Sequence, residues 1–108
     1  MDSWDIAALE IEAHHPQVLR SDPHARLIAI HLPAGEALGE HQVHEGAYLV
    51  VADGEVEVDS GGQTSAGGPG FVAFFAATER HAVRATTDAR LALLLAPWPG
   101  EGHPSQIG

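Results

Sequence analysis

Turn-forming residues interrupt this chain at short intervals and leave little room for long helices. The 108 residues include 12 glycines and 7 prolines, which are spread along the chain rather than gathered in one segment. Between them lie short runs of aliphatic, aromatic and β-branched residues. Short β-forming runs with turn signals about every 8 to 12 residues are typical of an all-β sandwich or barrel. We therefore expect one small all-β domain covering residues 1–108.

Local patterns predict the individual strands. Residues 55–59 alternate acidic residues with valines, which predicts a strand with one wet and one dry face. Residues 91–95 are uninterrupted aliphatic residues and predict a strand buried on both faces. Asp53-Gly54 is a strong signal for a two-residue hairpin between two strands. Further strands are predicted at residues 17–20, 25–32, 48–51, 71–75 and 82–85, whereas residues 5–12 fit a helical turn or an edge strand.

Composition and charge exclude several classes of function. The formal net charge is −10, and a field of that sign repels nucleic-acid phosphates and anionic lipid, so neither partner is expected. There is no cysteine, which excludes disulfides and thiolate chemistry. The longest apolar stretch, residues 91–96, is far too short to cross a bilayer, and the acidic start of the chain does not fit a signal peptide. We expect a cytoplasmic protein.

Two spaced sets of residues resemble the signature motifs of the cupin superfamily. Gly35, His41 and Gly54 fall in the register of the first motif, at about residues 35–54. Gly70 and His81 fall in the register of the second, at about residues 70–85. The resemblance implies a single-domain cupin of the RmlC-like type. Its fold would be a double-stranded β-helix, or jelly-roll barrel.

Departures from the motifs bear on the metal site that the resemblance implies. Metal-binding cupins hold an ion with three histidines and one glutamate. In the register of the motifs His41 and His81 are retained, while Val43 stands at the place of another histidine and Ala47 at the place of the glutamate. In the second motif, the family's Pro, Gly and Asn fall on Ala76, Thr78 and Ala85.

A third metal ligand has two candidates next to His41. In an unbroken strand, residues 41, 43 and 45 share a face, and Glu45 would complete a set of two histidines and one carboxylate. A β-bulge between residues 41 and 44 would instead turn His44 inward. Either set would hold one divalent ion, Fe, Mn, Ni or Zn. The alternative is a metal-free barrel in which His41 and His81 are hydrogen-bonded polar residues.

Three functions follow from these features. The first is binding of a small molecule in a mostly apolar pocket lined by Val43 and Ala47, with His41 and His81 as polar anchors. The second is a metal-dependent enzyme of the oxygenase or isomerase type. The third is a homodimeric interaction protein, as the resemblance implies, with the aromatic residues 71–75 and Trp4 at the interface.

Overall fold

The computed structural model describes residues 1–41 and 43–103, without the side chains of residues 39–41. This part of the chain forms nine strands and contains no helix. In chain order they are β1 (Gln17–Asp22), β2 (Ala25–Leu32), β3 (Ala37–His41), β4 (Gly46–Asp53), β5 (Val56–Ser60), β6 (Gln63–Gly67), β7 (Val72–Phe75), β8 (His81–Ala85) and β9 (Ala89–Ala96).

The strands form two antiparallel sheets that pack face to face. Sheet A has the order β1-β2-β9-β4-β7, and sheet B has the order β3-β8-β5-β6. Buried aliphatic residues of both sheets fill the space between them, with Leu49 and Leu91 from sheet A and Val56 and Val83 from sheet B among the most buried. Strands that follow each other in the chain often lie in opposite sheets. The all-β prediction is confirmed, and the arrangement is consistent with a jelly roll.

Alternation between the barrel interior and solvent explains most strands. In β5, Val56 and Val58 are buried and Asp59 is exposed, as the pattern predicted. The prediction of a doubly buried strand at residues 91–95 was wrong. Within residues 91–95 only Leu91 and Leu95 are buried, and the residues between them are half-buried. Since β9 lies between β2 and β4, its inner face packs in the barrel while its outer face is only partly covered.

The predicted hairpin at Asp53-Gly54 was also wrong. Strands β4 and β5 belong to different sheets, so this segment connects sheet A to sheet B. Gly54 has a φ of +78°, and a Cβ there would lie 2.1 Å from the carbonyl oxygen of Asp88. Gly54 is therefore needed for its backbone conformation and for the close approach to Asp88, and Asp53-Gly54 does not join two paired strands. A true two-residue hairpin stands at Gly61-Gly62, where Ser60 pairs with Gln63.

Residues 41–45 do not form one unbroken strand, which was the condition for Glu45 to share a face with His41. Strand β3 ends at His41 and β4 begins at Gly46, so Val43, His44 and Glu45 lie in the connection. The irregularity in β3 falls between Leu38 and His41, before the place where a bulge was considered. Because the connection crosses between sheets, strand alternation does not determine where its side chains point.

Of the two alternatives for the N-terminal segment, the structure shows a single turn and no strand. Residues 5–9 form a turn in which the amide groups of Ala8 and Leu9 both donate to the carbonyl oxygen of Asp5. Ile11 is buried, and its carbonyl oxygen lies 3.2 Å from the Nδ1 atom of His31. In the described residues, no helix is long and apolar enough to cross a membrane.

Candidate functional site at the barrel mouth

Both motif histidines belong to one end of the barrel, which we call the barrel mouth. It is the end where β2, β4 and β8 begin and where β3, β5, β7 and β9 finish. In sheet B, His81 is paired in register with His41 on one side and with Ser60 on the other. Directly paired residues of antiparallel strands share a face of the sheet. The predicted neighbourhood of positions 41 and 81 is thus present in the backbone, while the side chain of His41 lies outside the described residues.

The imidazole of His81 is held between the sheets. The residue is only 4% exposed, and its ring stacks on Phe75 of the opposite sheet with centroids 3.9 Å apart and an interplanar angle of 6°. Its Nδ1 atom lies 3.1 Å from the carbonyl oxygen of Glu79. A carbonyl oxygen only accepts hydrogen bonds, so Nδ1 carries the proton. In the neutral ring, Nε2 then has the lone pair that accepts a hydrogen bond or binds a metal.

A turn of residues 76–79, just before β8, fixes the orientation of the His81 ring. The backbone amide of Glu79 donates to the carbonyl oxygen of Ala76 at 3.0 Å. The Glu79 carboxylate accepts a hydrogen bond from the amide of Ala76 at 3.0 Å and another from the hydroxyl of Ser60. These bonds tie the turn to the end of β5. They place the Glu79 carbonyl where it meets the His81 ring.

We expect this turn to weaken in acid. The Ser60 hydroxyl, and after it the amide of Ala76, hold the pKa of the Glu79 carboxyl below its ordinary value. A carboxyl whose pKa is lower in the folded state adds stability that is complete above its unfolded pKa and is lost as the pH falls through its folded pKa. Glu79→Gln should therefore flatten the fall in melting temperature between about pH 5 and pH 3. Glu10→Gln, at an exposed residue, is the control, and an equal flattening in both variants would contradict this assignment.

Thr78, in the same turn, adopts a left-handed backbone. Its φ is +66°, and it is the residue at which the family motif has glycine. A β-branched residue is strained in this conformation, at a cost of roughly 1–2 kcal/mol. The hydroxyl of Thr78 partly compensates by donating to the carbonyl oxygen of Ala77 at 2.6 Å.

Thr78→Gly should raise the free energy of unfolding by up to about 1 kcal/mol, because relief of strain exceeds the entropy cost of a glycine. The same change at Thr64, inside strand β6, should lower it by about 1 kcal/mol. Urea denaturation of both variants tests the difference in sign. A loss of stability in both would show that Thr78 is not strained.

The two positions that replace family metal ligands are apolar and inward. Ala47 is fully buried, and Val43 packs against the core from the connection. Ala47 is paired with Phe75, whose ring stacks on His81. Both residues thus face the core. Neither has an atom that binds a metal.

Glu45 and His44 are both engaged by the C-terminal segment 97–103. Glu45 is only 1% exposed, and its Oε2 atom accepts a hydrogen bond from the amide of Gly100 at 2.7 Å. The ring of His44 packs edge-on against His103, with centroids 5.7 Å apart. A Cβ at Gly100 would lie 2.0 Å from the carbonyl oxygen of His44, so this approach requires glycine. The sequence patterns did not anticipate these contacts.

The described side chains at the barrel mouth do not form the metal site that the fold implies. Among the described side chains, no group of three histidines or carboxylates is arranged to hold a metal. His81 has the protonation and backing of a metal ligand, but Val43 and Ala47 supply nothing. The described residues do not fit a cupin metal centre.

An open cleft lies beside His81. It has a volume of about 340 Å³ and is lined by residues 59–62 of the β5–β6 hairpin and by Arg80, His81 and Ala82. Arg80 is exposed at its rim. His81 is therefore both a buried residue and a lining residue of this cleft.

Comparison with known families agrees with this geometry. The sequence profile of the cupin domain matches residues 28–97, well over half of the chain. The chain therefore belongs to the cupin family. A comparison with curated protein sequences found no match.

Solved structures with the same fold include proteins from several bacteria. An RmlC-like cupin protein from Desulfovibrio desulfuricans is 22% identical, with a TM-score of 0.78 over 90% of this chain and 97% of that one. A cupin superfamily protein from Desulfitobacterium hafniense is 14% identical, with a TM-score of 0.76 over 84% and 85%. KdgF from Halomonas sp. is 19% identical, with a TM-score of 0.71 over 77% of each chain. At these identities the likeness concerns the fold alone.

Proposed function

We propose that this cupin domain binds a small molecule at the barrel mouth, with His41 and His81 as its polar anchors. The observation that carries the proposal is the His81 ring, which is buried, stacked on Phe75 and held with its Nδ1 atom 3.1 Å from the carbonyl oxygen of Glu79. An imidazole held in one orientation is the kind of polar group that orients a ligand in a pocket.

The apolar replacements favour binding over metal chemistry. Val43 and Ala47 are apolar and pack in or against the core at the positions where metal-binding cupins have donors. Glu45, a candidate third ligand, already accepts the amide of Gly100.

A screen of small molecules with matched histidine variants tests this proposal. The wild-type chain, His41→Ala, His81→Ala and His24→Ala would each be titrated with the same compounds and followed by NMR. His24 lies exposed in the turn between β1 and β2, so its replacement serves as the control. We expect hits that bind the wild type and His24→Ala and are weakened by either mouth substitution. Hits that bind all four chains equally would overturn the proposal.

The tautomer of His81 also supports the second candidate, a metal-dependent enzyme of the oxygenase or isomerase type. The element content of protein purified without a His tag or chelator separates the two functions. Our proposal predicts no stoichiometric Fe, Mn, Ni or Zn in the wild type. A stoichiometric ion that is lost in His81→Ala and kept in His24→Ala would favour the enzyme.

Self-association is a further proposal, based on the outer face of sheet A. Tyr48, Val72 and Phe74 are 44%, 55% and 54% exposed there, and the rings of Tyr48 and Phe74 lie 4.8 Å apart. An apolar sheet face of this kind fits a second copy of the chain in a two-fold dimer. We expect a dimer in sedimentation velocity that Phe74→Ser weakens. A monomer at all concentrations would overturn this.

A further inference from the structure

The N-terminal strap, which we define as residues 5–16, is held against sheet A at the end of the barrel opposite the mouth. A terminal guanidinium nitrogen of Arg90 on β9 donates to the carbonyl oxygen of Leu9. On the neighbouring strand β2, the Nδ1 atom of His31 lies 3.2 Å from the carbonyl oxygen of Ile11. His31 and Arg90 are paired in register, so one small area of the sheet binds two backbone groups of the strap.

The strap covers a part of sheet A that lies outside the main core. Ile11 and Ala29 are 5% and 0% exposed, but neither belongs to the cluster of buried residues between the two sheets. Ala29 and His31 alternate along β2 with Ile30, which does belong to that cluster, so they point to the outer face. Release of the strap would therefore leave the core between the sheets intact.

Both ring nitrogens of His31 face oxygen atoms that accept hydrogen bonds. Nδ1 meets the Ile11 carbonyl, and Nε2 lies 2.8 Å from a carboxylate oxygen of Asp88. A carbonyl oxygen and an ionised carboxylate have no proton to donate. An imidazolium satisfies both contacts by donating twice, whereas a neutral ring has one N–H and leaves a lone pair facing an acceptor. The closed strap therefore favours the protonated ring.

Three charged groups of the barrel lie near the His31 ring. Arg90, directly across on β9, carries a like charge and opposes protonation. Asp53 of β4 is the register partner of Arg90 on its other side, and Asp88 is the carboxylate that contacts the ring. Two carboxylates beside one guanidinium leave a local potential that favours a cation at His31.

The strap itself adds weaker ionic contacts. The Nε2 atom of His14 lies 3.1 Å from a carboxylate oxygen of Glu36 in the β2–β3 connection, an ion-pair distance without hydrogen-bond alignment. These side chains are 68% and 40% exposed, and exposed ion pairs contribute little. His15 lies 3.9 Å from Glu12 within the strap, so this pair does not hold the strap to the barrel. His31 is therefore the titrating group with the largest effect on strap closure.

We propose that His31 is a pH-sensitive latch, which holds the N-terminal strap closed when protonated and releases it as the pH rises through the range of imidazole titration, about pH 5 to 8. Stability that requires a protonated group is complete at low pH and is lost as the pH rises. The inference is independent of the ligand proposed for the barrel mouth.

Release of the strap would open a second cavity. This cavity has a volume of about 280 Å³. Its wall on the strap side consists of His14, His15 and Pro16, and its barrel side includes Ile30, Leu32 and Leu38. The latch therefore controls access to apolar surface at the end of the barrel opposite the mouth.

A single thiol on the strap measures its opening. The chain has no cysteine, so Ile11→Cys introduces one buried reporter and Glu10→Cys one exposed reporter in the same segment. Both thiols would be labelled with dithiodipyridine from about pH 5.5 to about pH 8, across the range of imidazole titration. The labelling rate at position 11 divided by the rate at position 10 removes the intrinsic pH dependence of the thiol and reports the fraction of open strap.

We expect this ratio to rise with pH. The charged bonds of His31 are stronger than the single bond that a neutral ring keeps, and the side chain of Asp88 is 59% exposed, so solvent screens part of the gain. The rise should be roughly three- to tenfold. His31→Gln should abolish it, since glutamine does not titrate, whereas His14→Gln should keep it. Asp88→Asn should raise the ratio at the acid end of the range.

A ratio that does not change with pH, or that rises equally in His31→Gln, would overturn the inference. Val83→Cys, in the core, reports unfolding of the whole barrel, and an equal rise there would overturn it as well. If Ile11→Cys fails to fold, hydrogen exchange of the Leu9 amide, which donates to Asp5 inside the strap, measures the same opening in the wild type. The protection factor of this amide should then fall with pH in the wild type and stay constant in His31→Gln, and a constant value in both would contradict the latch.

Discussion

Leu91→Ala should lower the free energy of unfolding by about 3–5 kcal/mol, because it opens a cavity in the middle of the barrel. Leu91 is fully buried on the central strand of sheet A, between Ile30 of β2 and Val51 of β4. Neighbours held in two hydrogen-bonded sheets cannot collapse fully into the space. Urea denaturation followed by circular dichroism measures the loss.

Leu94→Ala is the matched control for this prediction. Leu94 lies three residues further along β9, on the half-buried outer face. The same number of atoms is removed, but less of the side chain is buried, so we expect a loss of about 1–2 kcal/mol. Equal losses in the two variants would mean that both faces of β9 are buried alike, as the unbroken aliphatic run had suggested.

Gly54→Ala should cost about 2–4 kcal/mol, through a steric conflict added to backbone strain. The new Cβ would stand 2.1 Å from the Asp88 carbonyl oxygen and 2.7 Å from the Ala89 Cα, and neither backbone atom moves easily. The segment is held there because the carbonyl oxygen of Glu55 accepts the amide of Thr86 at 2.9 Å. Thermal and chemical unfolding both measure the effect.

Gly61→Ala separates strain from steric conflict. Gly61 also has a positive φ, +57°, but a Cβ there meets nothing within 4 Å. We expect it to lose only the cost of the left-handed backbone, roughly 1–2 kcal/mol. If Gly54→Ala cost no more than Gly61→Ala, the close approach of residues 54 and 88 would be wrong.

Patterns carried by neighbouring residues predicted much of the fold. The valines of β5 were interpreted correctly, because alternation depends on adjacent residues. Asp53-Gly54 has the same local signature but a different role. The path of the chain after Asp53-Gly54 depends on contacts with residues 86–89. These residues are distant in sequence, so no local pattern indicates the contacts.

In the candidate site too, some features could be predicted from the sequence and others depend on contacts between distant segments. The resemblance to the cupin motifs led to His41 and His81, which lie paired on neighbouring strands. The burial of Glu45 against Gly100 and the stacking of Arg26 on Trp98 join segments far apart in the chain. Such contacts follow from how the C-terminal segment returns to the barrel mouth. Neither periodicity nor residue type indicates them.

The protonation of the His81 ring is the most direct test of the binding site. Long-range ¹H–¹⁵N correlation NMR distinguishes a protonated ring nitrogen from one with a lone pair, and the loss of the signals in His81→Gln assigns them. We predict a protonated Nδ1, bonded to the carbonyl oxygen of Glu79, and an unprotonated Nε2. A neutral ring protonated on Nε2 would contradict the account, because its lone pair would then face the Glu79 carbonyl and no acceptor nitrogen would be available to a ligand.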